Sequence, residues 1–334
     1  MPPETILPAR RHALPPGLIV LALAAVVLAA SIAFMTVGVK GNWAYVLELR
    51  GRKLAAIVLV ATATAVSTIL FQTITGNRIL TPSIIGFDAL YALLQTVLVF
   101  FLGAGRVAAF DPRLLFLLEA ASMLALALLL YRWLFLGERR SLHLLLLVGV
   151  VFGLIFRSIT QLLQRIMDPN EFVVLQDRLF ASFNGVNPVL IGMSATAIGL
   201  VGLAIWKRRF VMDVLLLGRE PAIGLGVDYR RLVTLILVLV SVLVASSTAL
   251  VGPINGFEPI SFYGVLVANL TYLLLPTFSH RFLLPAAAMI GILLIAGGQL
   301  VLETLLGFDS AVGIVIEFAG GLVFVFLLLK GLAR

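Results

Sequence analysis

Long apolar runs separated by short polar clusters set the pattern of this chain. Runs of about twenty apolar residues match the length a helix needs to cross a hydrocarbon core about 30 Å thick. They recur near 18–37, 53–73, 84–102, 113–133, 142–165, 189–206, 232–251, 261–277, 283–302 and 310–329. The pattern predicts an all-α fold, a polytopic transmembrane helix bundle of about ten spans, with 1–334 as a single membrane domain. Two runs are less regular than the rest. The third starts beside Asp88, and the eighth is interrupted by Asn269 and closed by Pro276. Residues 1–16 bring Arg10, Arg11 and several prolines ahead of the first run. That run is long for a secretory signal and is followed by further spans, so it reads as an uncleaved first helix.

One polar island stands out, between the runs at 189–206 and 232–251. It reads Gly218-Arg219-Glu220-Pro221-Ala222-Ile223-Gly224-Leu225-Gly226-Val227, within a loop at 207–231. Irregular backbone cannot face lipid, because its amide and carbonyl groups would lack partners. Lys207, Arg208, Arg209, Arg219, Arg230 and Arg231 mark the loop as cytoplasmic by the positive-inside rule. Pro221 suits the first turn of a short helix with Glu220 near its positive end, and Gly224 and Gly226 suit its termination. The island is therefore expected to form a short helix at the membrane surface, shaped to fit a cleft on a cytoplasmic partner.

Composition agrees with a membrane protein: 61% hydrophobic, 12% charged, mean hydropathy +1.14. The net charge of +8 does not point to nucleic acid, because the basic residues sit in short clusters between spans, where topology accounts for them. With both termini cytoplasmic, fifteen of the 24 Lys and Arg fall at inner ends. An exception stands among the other nine: Arg50, Arg52 and Lys53 cluster at an outer end, where few positives are expected. The absence of cysteine excludes disulfides and thiolate chemistry. His12, His143 and His280 lie far apart, form no metal spacing, and read as interfacial side chains. No metal site, cofactor motif or nucleotide-binding loop of the G-x-x-x-x-G-K-[ST] type is present. Any ATP must be hydrolysed by another chain. A polar connection at 166–188, rich in Asp-Pro and Asn-Pro turns, is expected to fold over the outer surface.

Inside the spans, Arg157, Gln161 and Gln164 fall on one helical face. They either line a pathway for a polar solute or, with Arg157 snorkelling to the interface, bond neighbouring helices. Glu317, ahead of Phe318-Ala319-Gly320-Gly321, and Glu119, with Arg113 nearby, are intramembrane carboxylates. Either could carry a proton in a secondary transporter or serve as a hydrogen-bonded structural group. Gly297-Gly298 and Gly320-Gly321 read as helix-packing sites. Paired carboxylates at catalytic spacing, a nucleophile elbow and an H-E-x-x-H helix are absent, so an enzyme is not expected.

Several stretches together resemble the FecCD permeases, the transmembrane subunits of type II ABC importers for iron–siderophores and vitamin B12. Arg50-Gly51-Arg52-Lys53 stands where the family opens its second span with a basic-x-Pro-Arg motif. The run Gln72-Thr73-Ile74-Thr75-Gly76-Asn77, followed by Pro82 and Gly86, is similar to the family's Gln-Thr-x-x-x-Asn-Pro with its later Pro and Gly. Gly218, Ala222, Leu225, Gly226 and Val227 match the cytoplasmic Gly-x-x-x-Ala-x-x-Leu-Gly-Val, Gly252-Pro253-Ile254 matches Gly-Pro-Ile, and Gly313 to Gly320 resemble the final helix. The wording Asn77-Arg78-Ile79-Leu80-Thr81-Pro82-Ser83 and Glu317-Phe318 look most like the branch for catecholate-type siderophores such as petrobactin, anguibactin and vibriobactin.

The resemblance implies a permease subunit in the bacterial inner membrane, passing an iron–siderophore complex inward by alternating access and pairing with an identical or related permease. It implies two cytoplasmic ATPase subunits docking on Gly218, Arg219, Glu220, Ala222, Gly224, Leu225, Gly226 and Val227. It also implies an extracytoplasmic binding protein whose acidic residues meet Arg50, Arg52 and Lys53, with Arg52 standing where the family has proline. A proton-coupled transporter using Glu317 or Glu119 is the alternative. The sequence departs from the family pattern at Asn77-Arg78 in place of Asn-Pro and at Gln299 and Glu303 in place of an Asp and an Arg. About six extra residues, Asn255 to Ile260, form a third departure.

Overall fold

The structure, a computed structural model, describes residues 14–39, 42–135, 142–254, 262–306, 320–322 and 325. Glu317, His12, the Asn255–Ile260 stretch and most of the expected tenth span lie outside the described residues. Among the described residues, twelve α-helices are delimited: α1 Pro16–Thr36, α2 Trp43–Thr75, α3 Phe87–Leu102, α4 Ala104–Ala109, α5 Pro112–Phe135 and α6 Leu142–Ile166. After them come α7 Pro169–Arg178, α8 Pro188–Leu215, α9 Arg219–Gly224, α10 Tyr229–Val251, α11 Phe262–Leu274 and α12 His280–Val301. Among the described residues, seven of these are long and apolar enough to cross a membrane: α1, α2, α5, α6, α8, α10 and α12.

Local chemistry explains the helix ends. Asn42, Asp168, Asn187 and Asp228 each accept a backbone N–H at the start of a helix, and proline follows Asp168 and Asn187 at the first helical position. Two helices overrun their apolar runs. α2 starts near residue 43 rather than 53 because Asn42 caps it there and the Glu48–Arg52 pair, one turn apart, suits a helix. α8 runs on through Lys207–Arg209 to Leu215, since nothing before Gly218 breaks it. The 166–188 connection is partly helical, as α7, because Pro169 and the Asp168 cap start a new helix.

α2 and α10 form the axis of the bundle, with 61% and 78% of their apolar windows buried, whereas α1 is peripheral at 6%. α3 and α11, at 16 and 13 residues, span only about 24 and 20 Å, short of a hydrocarbon core. For α3 the reason is visible. After α2 the chain turns back, and a 3₁₀ turn, Pro82–Ile85, comes to lie against Thr64, Ser67 and Thr68 midway along α2 and Ser247 and Thr248 on α10. Such backbone is tolerated at depth only where protein surrounds it, and Pro82, Ser83 and Ile85 are buried. The turn closes at Gly86, φ +93°, where α6 passes so closely that an added Cβ would sit 3.1 Å from Gly153 Cα. The facing glycine, Gly149, is tighter still, its missing Cβ 2.8 Å from Ile85 Cα.

These contacts, with Gly291 under the Tyr263 hydroxyl and Ala61, and Gly252 against Phe180 O, are close approaches among the described residues. Of the glycines expected to pack helices, Gly320 meets Leu266 and Phe262, while Gly297 and Gly321 face open space. Glycine removes bulk, but only helix rotation decides whether a neighbour uses the gap.

Candidate functional sites

The polar island forms α9 as expected, held between two left-handed glycines, Gly218 at φ +95° and Gly226 at φ +83°. Glu220 lies in its first turn, Gly224 is its last residue, and Val227 N–H returns to Ala222 C=O. Ala222 is fully buried, in the same core cluster as Met212 and Leu215 at the end of α8. The rest projects. Leu217, Ile223 and Leu225 are 60%, 46% and 64% exposed among exposed Arg219 and Glu220. A short stiff knob with apolar tips on a charged base is thus seated on α8 and α10.

Arg52 and Lys53 gather at the opposite end of α8. Its 28 residues separate the two places by about 40 Å. With Leu49 and the 183–188 turn they line a recess of about 390 Å³. The three cations expected to face outward together are divided by the fold. Lys53 is buried and bonds Glu303 at 2.6 Å, on the last turn after α12. Arg50 donates to the carbonyls of Phe34 and Val37 at 2.7 Å and stands 3.9 Å from the Glu303 carboxylate. Gln299 also donates to Glu303 at 2.7 Å. Arg52 is the exposed member, paired with Glu48 on its own helix. Glu303, which the sequence comparison treated only as a departure, is the counter-ion that makes burial of Lys53 tolerable.

Along α6, Gln161 is exposed and Arg157 and Gln164 half-buried. Arg157 Nε is buried with no hydrogen-bond partner among the described residues. Among the described residues, no hydrogen bond joins the stripe to another helix of the chain. Glu119 is buried and accepts from Gln95 Nε2 on α3. The expected neighbour Arg113 is exposed and does not line the recess around Glu119. Arg178 from α7 supplies the nearby cation instead, in a recess of about 520 Å³ lined also by Tyr91, Gln95 and Glu119. Among the described residues, no group of three or more His, Cys, Asp or Glu is placed to hold a metal.

Sequence reasoning missed a polar cluster that joins three helices. His280, expected at an interface, is fully buried at the start of α12. Asp213, in the last turn of α8, accepts from Ser279 Oγ at 3.0 Å, His280 N–H at 2.7 Å and His280 Nδ1–H at 2.6 Å. His280 Nε2 meets Thr73 Oγ1 on α2 at 2.9 Å. Asp213 thus does for α12 what its own N-cap residue, Ser279, does not, with charge-assisted bonds of about 1.5–3 kcal/mol each. Close by, Arg78 lies 4.8 Å from the Tyr272 ring and 5.3 Å from the Phe278 ring. The only sequence signal was the pair of isolated charges themselves.

A helical bundle with several membrane-length helices, a 3₁₀ turn packed in its interior and a surface knob at one end is the architecture of a membrane permease. The chain matches the FecCD transport family over residues 16–330 and belongs to that family. It is 44% identical over 290 residues to the petrobactin import system permease protein YclO of Bacillus subtilis, covering 87% of this chain and 90% of that one. It is 36% identical over 277 residues to the petrobactin import system permease protein FatC of Bacillus anthracis, covering 83% and 77%. A solved structure described as an inward-facing conformation of a metal-chelate type ABC transporter superposes with a TM-score of 0.82, covering 95% of this chain and all of that one. At 22% identity that likeness speaks for the fold.

Proposed function

We propose that the chain is the permease subunit of an ATP-driven importer carrying a ferric siderophore of the petrobactin type inward across the cytoplasmic membrane. The observation that carries this reading is the pairing of two surfaces on one helix. The α9 knob, with exposed Leu217, Ile223 and Leu225, stands at one end of α8, and the Arg52 recess stands at the other. An apolar knob on a basic loop fits a cleft on a cytoplasmic ATPase. The exposed Arg52 beside the recess fits an acidic group of a binding protein, steering its encounter and fixing its register more than adding affinity. The similarity to petrobactin permeases supports the substrate class.

The exposed Gln161 and half-buried Arg157 and Gln164 support a second permease, identical or related, facing α6 across a polar pathway. Opening alternates from side to side as the ATPases press on α9. The test is co-purification from detergent-solubilised native membranes, comparing wild type with a variant lacking Gly218 to Val227. An ATPase retained by the wild type alone is the expected result. Retention by neither, with uptake following a pH gradient without ATP, would instead assign transport to a proton carrier such as Glu119.

A further inference from the structure

The Asp213 cluster lies between the surface that receives force and the helices that must move. α9 begins six residues after Asp213 and packs on α8 and α10, with Ala222, Met212 and Leu215 all buried. The carboxylate of Asp213 holds the first turn of α12 through three hydrogen bonds, and His280 carries the connection across to Thr73 near the end of α2. Hydrogen bonds join all three helices, and His280 is fully buried. A side chain as enclosed as His280 transmits displacement rather than absorbing it, and the partly exposed Asp213 reaches it from the α8 end.

α12 is built to respond. Pro285 sits inside it, one turn past His280, and has no N–H to offer the Arg281 carbonyl. One bond between the first turn and the helix beyond it is thereby missing, a place where a helix can bend, and the first turn is fastened to Asp213. A second fastening lies beside the first. Arg78, just beyond α2, rests on Tyr272 and Phe278, the latter two residues before His280. A shift of the α8 end therefore moves the starts of α12 and the end of α2 together.

Resting on the proposed ATP-driven import, we infer that Asp213, with His280 and Thr73, is the positioning link that converts movement of α9 into movement of α2 and α12. It acts through these helices and does not touch substrate.

The test reconstitutes the full chain with its ATPase and binding protein in proteoliposomes. ATP hydrolysis and ferric petrobactin uptake are measured together and expressed as ATP consumed per chelate moved. Two variants separate linkage from folding. Asp213→Ala cuts the whole cluster, and Thr73→Val cuts only the α2 branch at nearly constant volume, leaving the three bonds of Asp213 in place. For Asp213→Ala the expected result is ATPase co-purification and basal hydrolysis within about twofold of wild type, uptake down at least tenfold, and a correspondingly higher ATP cost per chelate. Thr73→Val should raise the ratio about threefold.

A purely structural role would lower hydrolysis and uptake together and leave the ratio unchanged. That outcome in both variants overturns the inference. If Asp213→Ala does not accumulate in membranes, the ratio for Thr73→Val decides alone. If the wild type neither hydrolyses ATP with its partner nor moves the chelate, the importer reading fails first, and the coupling inference falls with it.

Discussion

Gly149 offers a sharp test of how the interior of the bundle is held. It lies on α6 where that helix crosses the 3₁₀ turn before α3. A Cβ added there would stand 2.8 Å from Ile85 Cα and 3.3 Å from Ile84 O. Carbon atoms pack favourably at about 3.5–4.0 Å, so the first contact is short by roughly 0.7 Å, and it is with backbone that no rotamer change can move. Gly149→Ala must push α6 off the turn, and overpacking of this kind costs about 1–3 kcal/mol. Gly153→Ala is the matched control. It lies one turn along the same helix, with the same gain in helix propensity, but its Cβ would sit at an ordinary 3.5 Å from Gly86 Cα.

The assay is the temperature at which half the detergent-solubilised protein remains monodisperse. Gly149→Ala should lower it by about 3–8 °C, while Gly153→Ala should leave it within a degree or two. Because α6 carries Arg157, Gln161 and Gln164, uptake should fall with Gly149→Ala as well. Equal midpoints for the two variants would refute the close approach and, with it, the packing that orients the polar stripe.

The other expectations concern the two ends of α8. Removing Glu303 by Glu303→Ala strands Lys53, which is buried. Since the paired side chains keep 10% and 18% of their exposure, the loss should be about 2–3 kcal/mol rather than the ~3–5 of a fully enclosed pair. Lys53→Met with Glu303→Gln should recover at least half of it in a double-mutant cycle read by thermal inactivation. Arg52→Glu should weaken capture of the binding protein several-fold at low ionic strength, with the difference shrinking near 1 M salt, where the screening length is about 3 Å. Equal affinity in low salt, measured by surface plasmon resonance, would remove Arg52 from the docking surface. Gly226→Val places a β-branched residue at φ +83°, a strain of about 1–3 kcal/mol that is relieved by refolding the loop. The protein should insert normally while chelate uptake falls at least tenfold, and full uptake would show that the shape of α9 does not matter.

Local rules alone determined a good deal. Apolar length located the spans now occupied by α1, α5, α6, α10 and α12, because crossing a hydrocarbon layer requires a fixed run of residues whatever lies beside it. The short α9 was equally legible, since proline, a first-turn acid and flanking glycines constrain a helix within its own few residues. What the sequence could not determine was which charges meet. Arg50, Arg52 and Lys53 read as one outward cluster, yet Lys53 is claimed by Glu303, 250 residues away. His280 read as an interfacial side chain and Asp213 carried no expectation at all, yet α8 and α12 bring them to 2.6 Å. Glu119 found Gln95 and the Arg178 recess rather than the neighbouring Arg113. Hydrophobic pattern fixes where a helix lies in the membrane but leaves its rotation and its neighbours open. Those depend on close packing, at places such as Gly149 against Ile85, and on the few polar partners that each buried charge requires.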